Sequence, residues 1–335
     1  MRRICILKPS ALGDIAHALP VLTSLREQYP AARISWVVNQ GFAGLLAGHP
    51  HLDEVIPFDR GVFRGDPAAA VRYGLRFANQ LRRKRFDLVL DLQGLARTGL
   101  MCAATGAPKR VGFADAREGS RHAYTRVVGT PPGMHAVDRY WLAAQAVGAG
   151  QGMPRFVLPV DATEAAVVRE MFANLPRPLV AVAAGAKWVT KRWPPAHFVA
   201  LLNRLGRGTA VLVGSADDTA LSAEIAAGLH VPHLDLTGKT PLPTLVAVLA
   251  AADVMLANDT GPLHVAAALG THCVAPYLCT QTRRHGPYTS PGGGVETAVP
   301  CAGSYLKRCP NGYACFADLT PDKLWPALAA AVGLV

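Results

Sequence analysis

Charge is scarce in this chain of 335 residues: Asp, Glu, Lys and Arg make up 17 % of it, while half is apolar. That balance excludes long disordered stretches, which need high charge and little hydrophobicity to stay unfolded. A continuous apolar run of about 20 residues, the length that spans a bilayer, is also missing. The opening, MRRICILKPSALGD, sets two arginines before an apolar stretch, but Lys8 and Asp14 interrupt it and no small-residue cleavage site follows. It reads as a buried first strand, and a cytoplasmic protein is expected. Zinc-finger spacing and RNP-type aromatics are absent, so nucleic acid is not an expected partner. The turn after the first strand lacks the G-x-G-x-x-G that lets backbone approach a pyrophosphate, which weighs against an NAD-dependent oxidoreductase.

What is present is basic. The formal net charge of +11 calls for acidic company, and a phosphate-rich membrane surface fits it best. The length exceeds what one hydrophobic core usually serves, so two domains are expected. Arg3–Leu7, Arg33–Val38, Glu54–Phe58, Leu88–Leu92 and Arg110–Phe113 read as strands, alternating with helices at Ile15–Gln28, about Ala69–Arg85 and Leu95–Ala104. The middle is irregular: a GTPPG turn cluster, a helix at Val137–Val147, then the linker GAGQGMP. The pattern restarts with strands at Pro178–Ala183, Thr209–Gly214, His233–Leu236, Val254–Ala257 and Val274–Leu278. Helices are expected at Pro195–Leu205, Asp217–Leu229, Pro243–Ala251 and Gly261–Leu269, with a last one at Thr320–Val332 capped by Thr320. Such alternation predicts parallel βαβ units. The expected fold class is α/β, with two doubly wound, Rossmann-like parallel-sheet domains, 1–153 and 154–335, facing a central cleft. The final helix is expected to pack back on the N-terminal domain.

Ligands in such sheets bind at the carboxyl ends of the strands. Three segments sit there. Lys8-Pro9-Ser10-Ala11-Leu12-Gly13-Asp14 presents a carboxylate, either a first-turn acid for the helix or a general base. In KWVTKRWP, Lys191 beside Thr190 suits a phosphate, with a solvated basic loop as the plainer alternative. Asn258-Asp259-Thr260-Gly261-Pro262-Leu263-His264 opens a helix whose free amides make an anion site. Asp259 would repel that anion, so it caps the helix or accepts bonds from a sugar hydroxyl; His264 is a neighbour of the site or a core histidine.

SALGDIAHALPVLTSLREQYP, WVVNQGFA, DLQGL, HAVDR, KRWP and NDTGPLHVAAALG follow one another in this order. Together they resemble the bacterial ADP-heptose:lipopolysaccharide heptosyltransferases, glycosyltransferase family 9, over nearly the whole chain. The N-terminal half is most similar to heptosyltransferase I, the Lys187–Pro194 loop and the tail to heptosyltransferase II. The resemblance implies a GT-B fold with acceptor bound by the first domain and donor by the second. It implies Asp14 as catalytic base. On the donor side it implies Lys191 at the diphosphate, Asp259 near the heptose and Thr260 with Gly261 at the phosphates. His264 lies beside them, Thr240 at the adenine pocket and Asp218 near the ribose. Lys8, Ser10, Gln93, Arg97, Arg117 and Arg139 fall where acceptor-facing residues lie, and arginine can hold carboxylate or phosphate bidentately. The implied partners are ADP-heptose, an acidic lipopolysaccharide core and the cytoplasmic face of the inner membrane. No cofactor is implied, and the displacement is inverting and metal-independent. Ala183–Lys187 departs from the family, which tends to carry a threonine pair there.

Of seven cysteines, Cys5, Cys102, Cys273 and Cys279 sit in apolar surroundings as small hydrophobes. Cys301, Cys309 and Cys315 are spaced C-x₇-C and C-x₅-C, wider than zinc pairs. Reduced structural thiols are expected; the alternative is a structural metal with Cys279 or His285 as fourth ligand. Other nucleotide-sugars or acceptors on the same fold, and a non-catalytic nucleotide-binding protein, are the competing functions.

Overall fold

The computed structural model describes residues 1–290 and 293–334. By compactness the chain divides into two units, Met1–Pro159 and Val160–Val335.

The first unit holds β1 (Arg3–Leu7), α1 (Leu12–Gln28), β2 (Arg33–Asn39), β3 (Glu54–Phe58), α2 (Pro67–Arg83), β4 (Leu88–Asp91), α3 (Ala96–Ala104), β5 (Lys109–Phe113), β6 (Arg126–Val128) and α4 (Ala136–Gln145). The second holds α5 (Ala162–Phe172), β7 (Leu179–Ala183), α6 (Pro195–Leu205), β8 (Thr209–Leu212), α7 (Thr219–Gly228), β9 (His233–Asp235), α8 (Leu242–Ala251), β10 (Val254–Ala257), α9 (Gly261–Leu269), β11 (His272–Tyr277), α10 (Thr282–His285), β12 (Gly294–Glu296), α11 (Cys315–Asp318) and α12 (Pro321–Ala331). The sheets are wholly parallel, in the orders β3-β2-β1-β4-β5-β6 and β12-β11-β10-β7-β8-β9. Each runs outward both ways from its first strand. The chain therefore reverses direction between β1 and β4, and again between β7 and β10. Loops leaving the strands on either side of such a reversal diverge and open a crevice at their carboxyl ends.

Continuous apolar runs build the central strands because both sheet faces are covered. Ile4–Leu7, Leu88–Leu90, Leu179–Val182 and Val254–Ala257 are all buried. Helix starts follow local chemistry. Asp66 accepts from the amides of Ala68 and Ala69 at 2.9 and 3.1 Å ahead of Pro67, opening α2. Thr320 stands at the expected cap of α12, but its side chain makes no cap hydrogen bond. Leu324 and Leu328 of α12 enter the core of the second unit with Leu201 and Leu205 of α6.

Five elements escaped the sequence reading: β6, β12, α5 and the four-residue helices α10 and α11, too short to show a period. β6 is a three-residue edge strand, largely exposed, with no alternation to betray it. β12, equally short, extends the second sheet beyond β11, where the sequence reading ended it. Helix α5 lies between the expected linker and β7, in a stretch to which the sequence reading gave no element. Asp161 starts it by accepting from Thr163 and Glu164 at 2.9 and 3.0 Å, and the Asp161-x-x-Glu164 spacing was the overlooked signal. No helix among the described residues is long and apolar enough to cross a membrane.

Candidate active site

In the first unit, β1 delivers Lys8, Ser10 and Asp14 to the crevice, and β4 delivers Gln93. Asp14 is in the first turn of α1, where its Oδ2 accepts from the amide of Ala11 at 3.0 Å. Oδ1 accepts from the Tyr140 hydroxyl at 3.2 Å and lies 3.9 Å from Lys8 Nζ. Asp14 is thus a helix-start acid with one oxygen on the backbone and the other beside Tyr140 and Lys8, and its side chain is 37 % exposed. Lys8 is buried, with its ammonium 4.9 Å above the Tyr140 ring. Burial lowers its pKa, and Asp14 works against that shift. Burial drives the Tyr140 phenol well above its ordinary value, and the Asp14 charge adds to the shift, so Tyr140 is a neutral donor. Tyr140 directly follows the HAVDR run; only the packing of α4 on α1 brings it to Asp14.

The other expected acceptor residues are unevenly placed. Gln93 Oε1 accepts from the Ser10 amide at 3.4 Å, joining the loops after β1 and β4. Arg117 is exposed, and its backbone amide bonds to the Gly94 carbonyl at 2.9 Å. Arg97 lies 6.0 Å from the Phe58 ring centroid. Arg139 stacks on Phe113 at 3.7 Å and grips Asp115 with Nη2 and Nε at 2.6 and 3.3 Å, so its fork is already filled. Beneath these residues Asp91 is wholly buried, accepting from the Gln93 and Gly94 amides and the Tyr124 hydroxyl at 2.9, 3.0 and 2.8 Å. Its partners are neutral, and burial raises its pKa.

In the second unit Asn258 binds the loops after β7 and β10 together. Its Oδ1 accepts from the Trp193 amide at 3.0 Å, and its Nδ2 donates to the Ala184 carbonyl at 2.6 Å. Asp259, 5 % exposed, then receives Lys191 Nζ at 2.6 Å and the Thr280 hydroxyl at 2.8 Å on Oδ2. His264 Nε2 is 3.1 Å from Oδ1. Burial alone would raise the Asp259 pKa; His264 and Lys191 overcome it and hold the carboxylate far below its ordinary value. Asp259 therefore does not cap α9. Thr260 occupies the cap position in extended backbone and makes no side-chain cap bond, and Pro262 has no N–H. The first-turn amides of Gly261 and Leu263 lie at the positive end of the helix. Lys191 donates to the Asp259 carboxylate at 2.6 Å and to its carbonyl at 3.4 Å, with its ammonium 5.1 Å from the Trp188 ring.

Thr190 requires a correction. Expected at the donor phosphate, it is buried, donating to the Leu306 carbonyl at 2.7 Å and receiving the Cys279 thiol at 3.4 Å, so its hydroxyl anchors the tail. Asp218 lies at the start of α7 and bonds the Ser215 amide and hydroxyl at 2.9 and 2.7 Å. A Cβ on Gly185 would stand 2.1 Å from its Oδ1, so the glycine after β7 makes room for this carboxylate, a role the sequence reading missed. Thr240 is half-buried in the turn after β9. Cys279, Cys301, Cys309 and Cys315 line one small cavity with Leu306 and Tyr313. All seven cysteines are free, and no three His, Cys, Asp or Glu side chains among the described residues are arranged to hold a metal ion.

Two parallel α/β units of identical strand order, each with polar residues gathered at its switch point, match the GT-B fold of glycosyltransferases. Residues 74–314 match glycosyltransferase family 9 (heptosyltransferase), and the chain belongs to that family. It is 33 % identical to the lipopolysaccharide heptosyltransferase 1 of Pseudomonas aeruginosa over 323 residues, covering 92 % of this chain and 87 % of the relative. The structure of Escherichia coli ADP-heptose lipopolysaccharide heptosyltransferase II superposes with a TM-score of 0.78 at 25 % identity, covering 100 % of this chain and 99 % of that one. An Escherichia coli heptosyltransferase solved with ADP gives 0.74 at 23 % identity, covering 98 % and 99 %.

Proposed function

We propose that this enzyme moves L-glycero-D-manno-heptose from ADP-heptose to a Kdo or heptose residue of the lipopolysaccharide inner core, with inversion and without a metal. The observation that carries this reading is the Asp14 carboxylate: partly exposed, at the crevice of the first switch point, and oriented by a neutral phenol and an ammonium. Asp14 takes the proton of an acceptor hydroxyl. The freed oxygen attacks the anomeric carbon as the bond to the diphosphate breaks, through an oxocarbenium-like state, and ADP departs. Lys191 and the α9 amides neutralise the charge that grows on the leaving group. Asp259 is already saturated by Lys191, Thr280 and His264, and its task is to hold that lysine in place. Asp218 near the end of β8 suits a ribose hydroxyl, and Thr240 lines the adenine side. Lys8, Arg97 and Arg117 supply charge for an acidic core sugar. The enzyme works peripherally, at the cytoplasmic face of the inner membrane.

Calorimetric titration with ADP, UDP, GDP and ADP-heptose tests the donor. Selective binding of ADP and ADP-heptose is expected; preference for UDP or GDP overturns the heptose assignment.

A further inference from the structure

Helix α2 contains four arginines and neither Asp nor Glu between Pro67 and Arg83. Its inward stripe is ordinary core: Phe77 and Leu81 are buried, and Tyr73 stacks on Phe77. Its outward stripe is not ordinary. Val71 and Leu75, one turn apart, are 62 % and 67 % exposed, and Arg72 and Arg76 are exposed beside each of them. The neighbouring helix α3 adds Leu100, 72 % exposed. Exposed aliphatic side chains singly on a surface need no explanation, but aliphatics alternating with arginines along one helix face are the pattern of interfacial helices.

We infer that the outer face of α2 is the surface by which this protein lies against an anionic phospholipid bilayer, an inference that rests on the peripheral-membrane reading above. The arginines meet lipid phosphates, while Val71, Leu75 and Leu100 enter the boundary between headgroups and acyl chains. A second copy of the chain fits this face poorly, since a two-fold contact would set the α2 arginines against themselves. Nucleic acid would use the arginines but gain nothing from valine and leucine, which neither stack nor donate.

Flotation of the full chain with phosphatidylglycerol-containing vesicles, against phosphatidylcholine vesicles alone, tests this. The wild type should partition at least about tenfold more onto the anionic vesicles. V71D/L75D and R72E/R76E should each fall to the phosphatidylcholine level. All four side chains are exposed, and the Arg72 pair with the cap residue Asp66 at 3.7 Å is itself solvent-exposed, so both variants should melt within a few degrees of the wild type and keep full transfer to a water-soluble, acyl-free acceptor. Equal wild-type partition onto both vesicles, or variants that float like wild type, would overturn the assignment of this face. A wild type that transfers heptose but ignores anionic vesicles removes the surface and leaves the function. One that floats through α2 yet transfers nothing removes the function and leaves the surface.

Discussion

Asp91 closes β4, the fourth strand of the first sheet, and Asp259 lies in the loop just past β10, the fourth strand of the second. Both are buried and saturated with hydrogen bonds. Their partners set them apart. Asp91 is held by two amides and a phenol, and burial raises its pKa; Asp259 is held by Lys191 and His264, and its pKa is driven down. Asp14, after the first strand of the first sheet, is far less buried, its side chain 37 % exposed. One functional group on one kind of scaffold thus becomes a structural acceptor, a clamp for a cation or a candidate base. Burial and the charge of its neighbours decide which.

The largest effect should come from removing the clamp. D259A leaves Lys191 partly buried without its counter-charge, and breaking such a pair costs about 3–5 kcal/mol. Chemical denaturation should show that loss, with donor affinity falling as Lys191 moves; a wild-type midpoint would mean that the pair is not structural. D14A should keep donor binding and lose at least about 10²-fold in turnover, because it removes a base and no binding group. Unchanged turnover would end the assignment of Asp14.

Smaller changes sharpen the contrast. Y140F deletes one hydrogen bond to Asp14, and kcat should drop by about tenfold while the donor KM stays put. Loss of a bond to the charged form should also move the acid limb of the pH–rate profile upward. An unmoved profile would make Tyr140 a packing residue only. D91N should cost least, since the amide oxygen still accepts from Gln93 and Gly94 and its NH₂ can donate to Tyr124. The sign with pH is definite. A carboxyl whose folded pKa is raised contributes stability below its unfolded pKa and loses it as pH rises through the folded value. Wild-type stability therefore falls across that window, and the D91N curve should lack this fall. Parallel denaturation curves for the two proteins across the same pH range would contradict the buried, uncompensated state of Asp91.

The sequence by itself determined the α/β class and most of the central strands, because apolar runs such as ICIL and PLVAVA have one comfortable place, a parallel sheet covered on both faces. It also marked Asp14, Lys191 and Asp259, since turns at strand ends leave a local signature of Gly, Pro and polar residues. It left α5, β6, β12, α10 and α11 unseen: strands of three residues and helices of four carry too little pattern, and the cap of α5 was passed over. Only the tertiary structure decided partnership. Tyr140 reaches Asp14 across 126 positions of sequence, and Lys191 reaches Asp259 across 68. Thr190, adjacent to Lys191 in the chain, turns instead into the tail and bonds Leu306. Neighbouring residues can face opposite ways and distant ones can meet, because topology, not sequence separation, sets which side chains share a dielectric and a hydrogen bond.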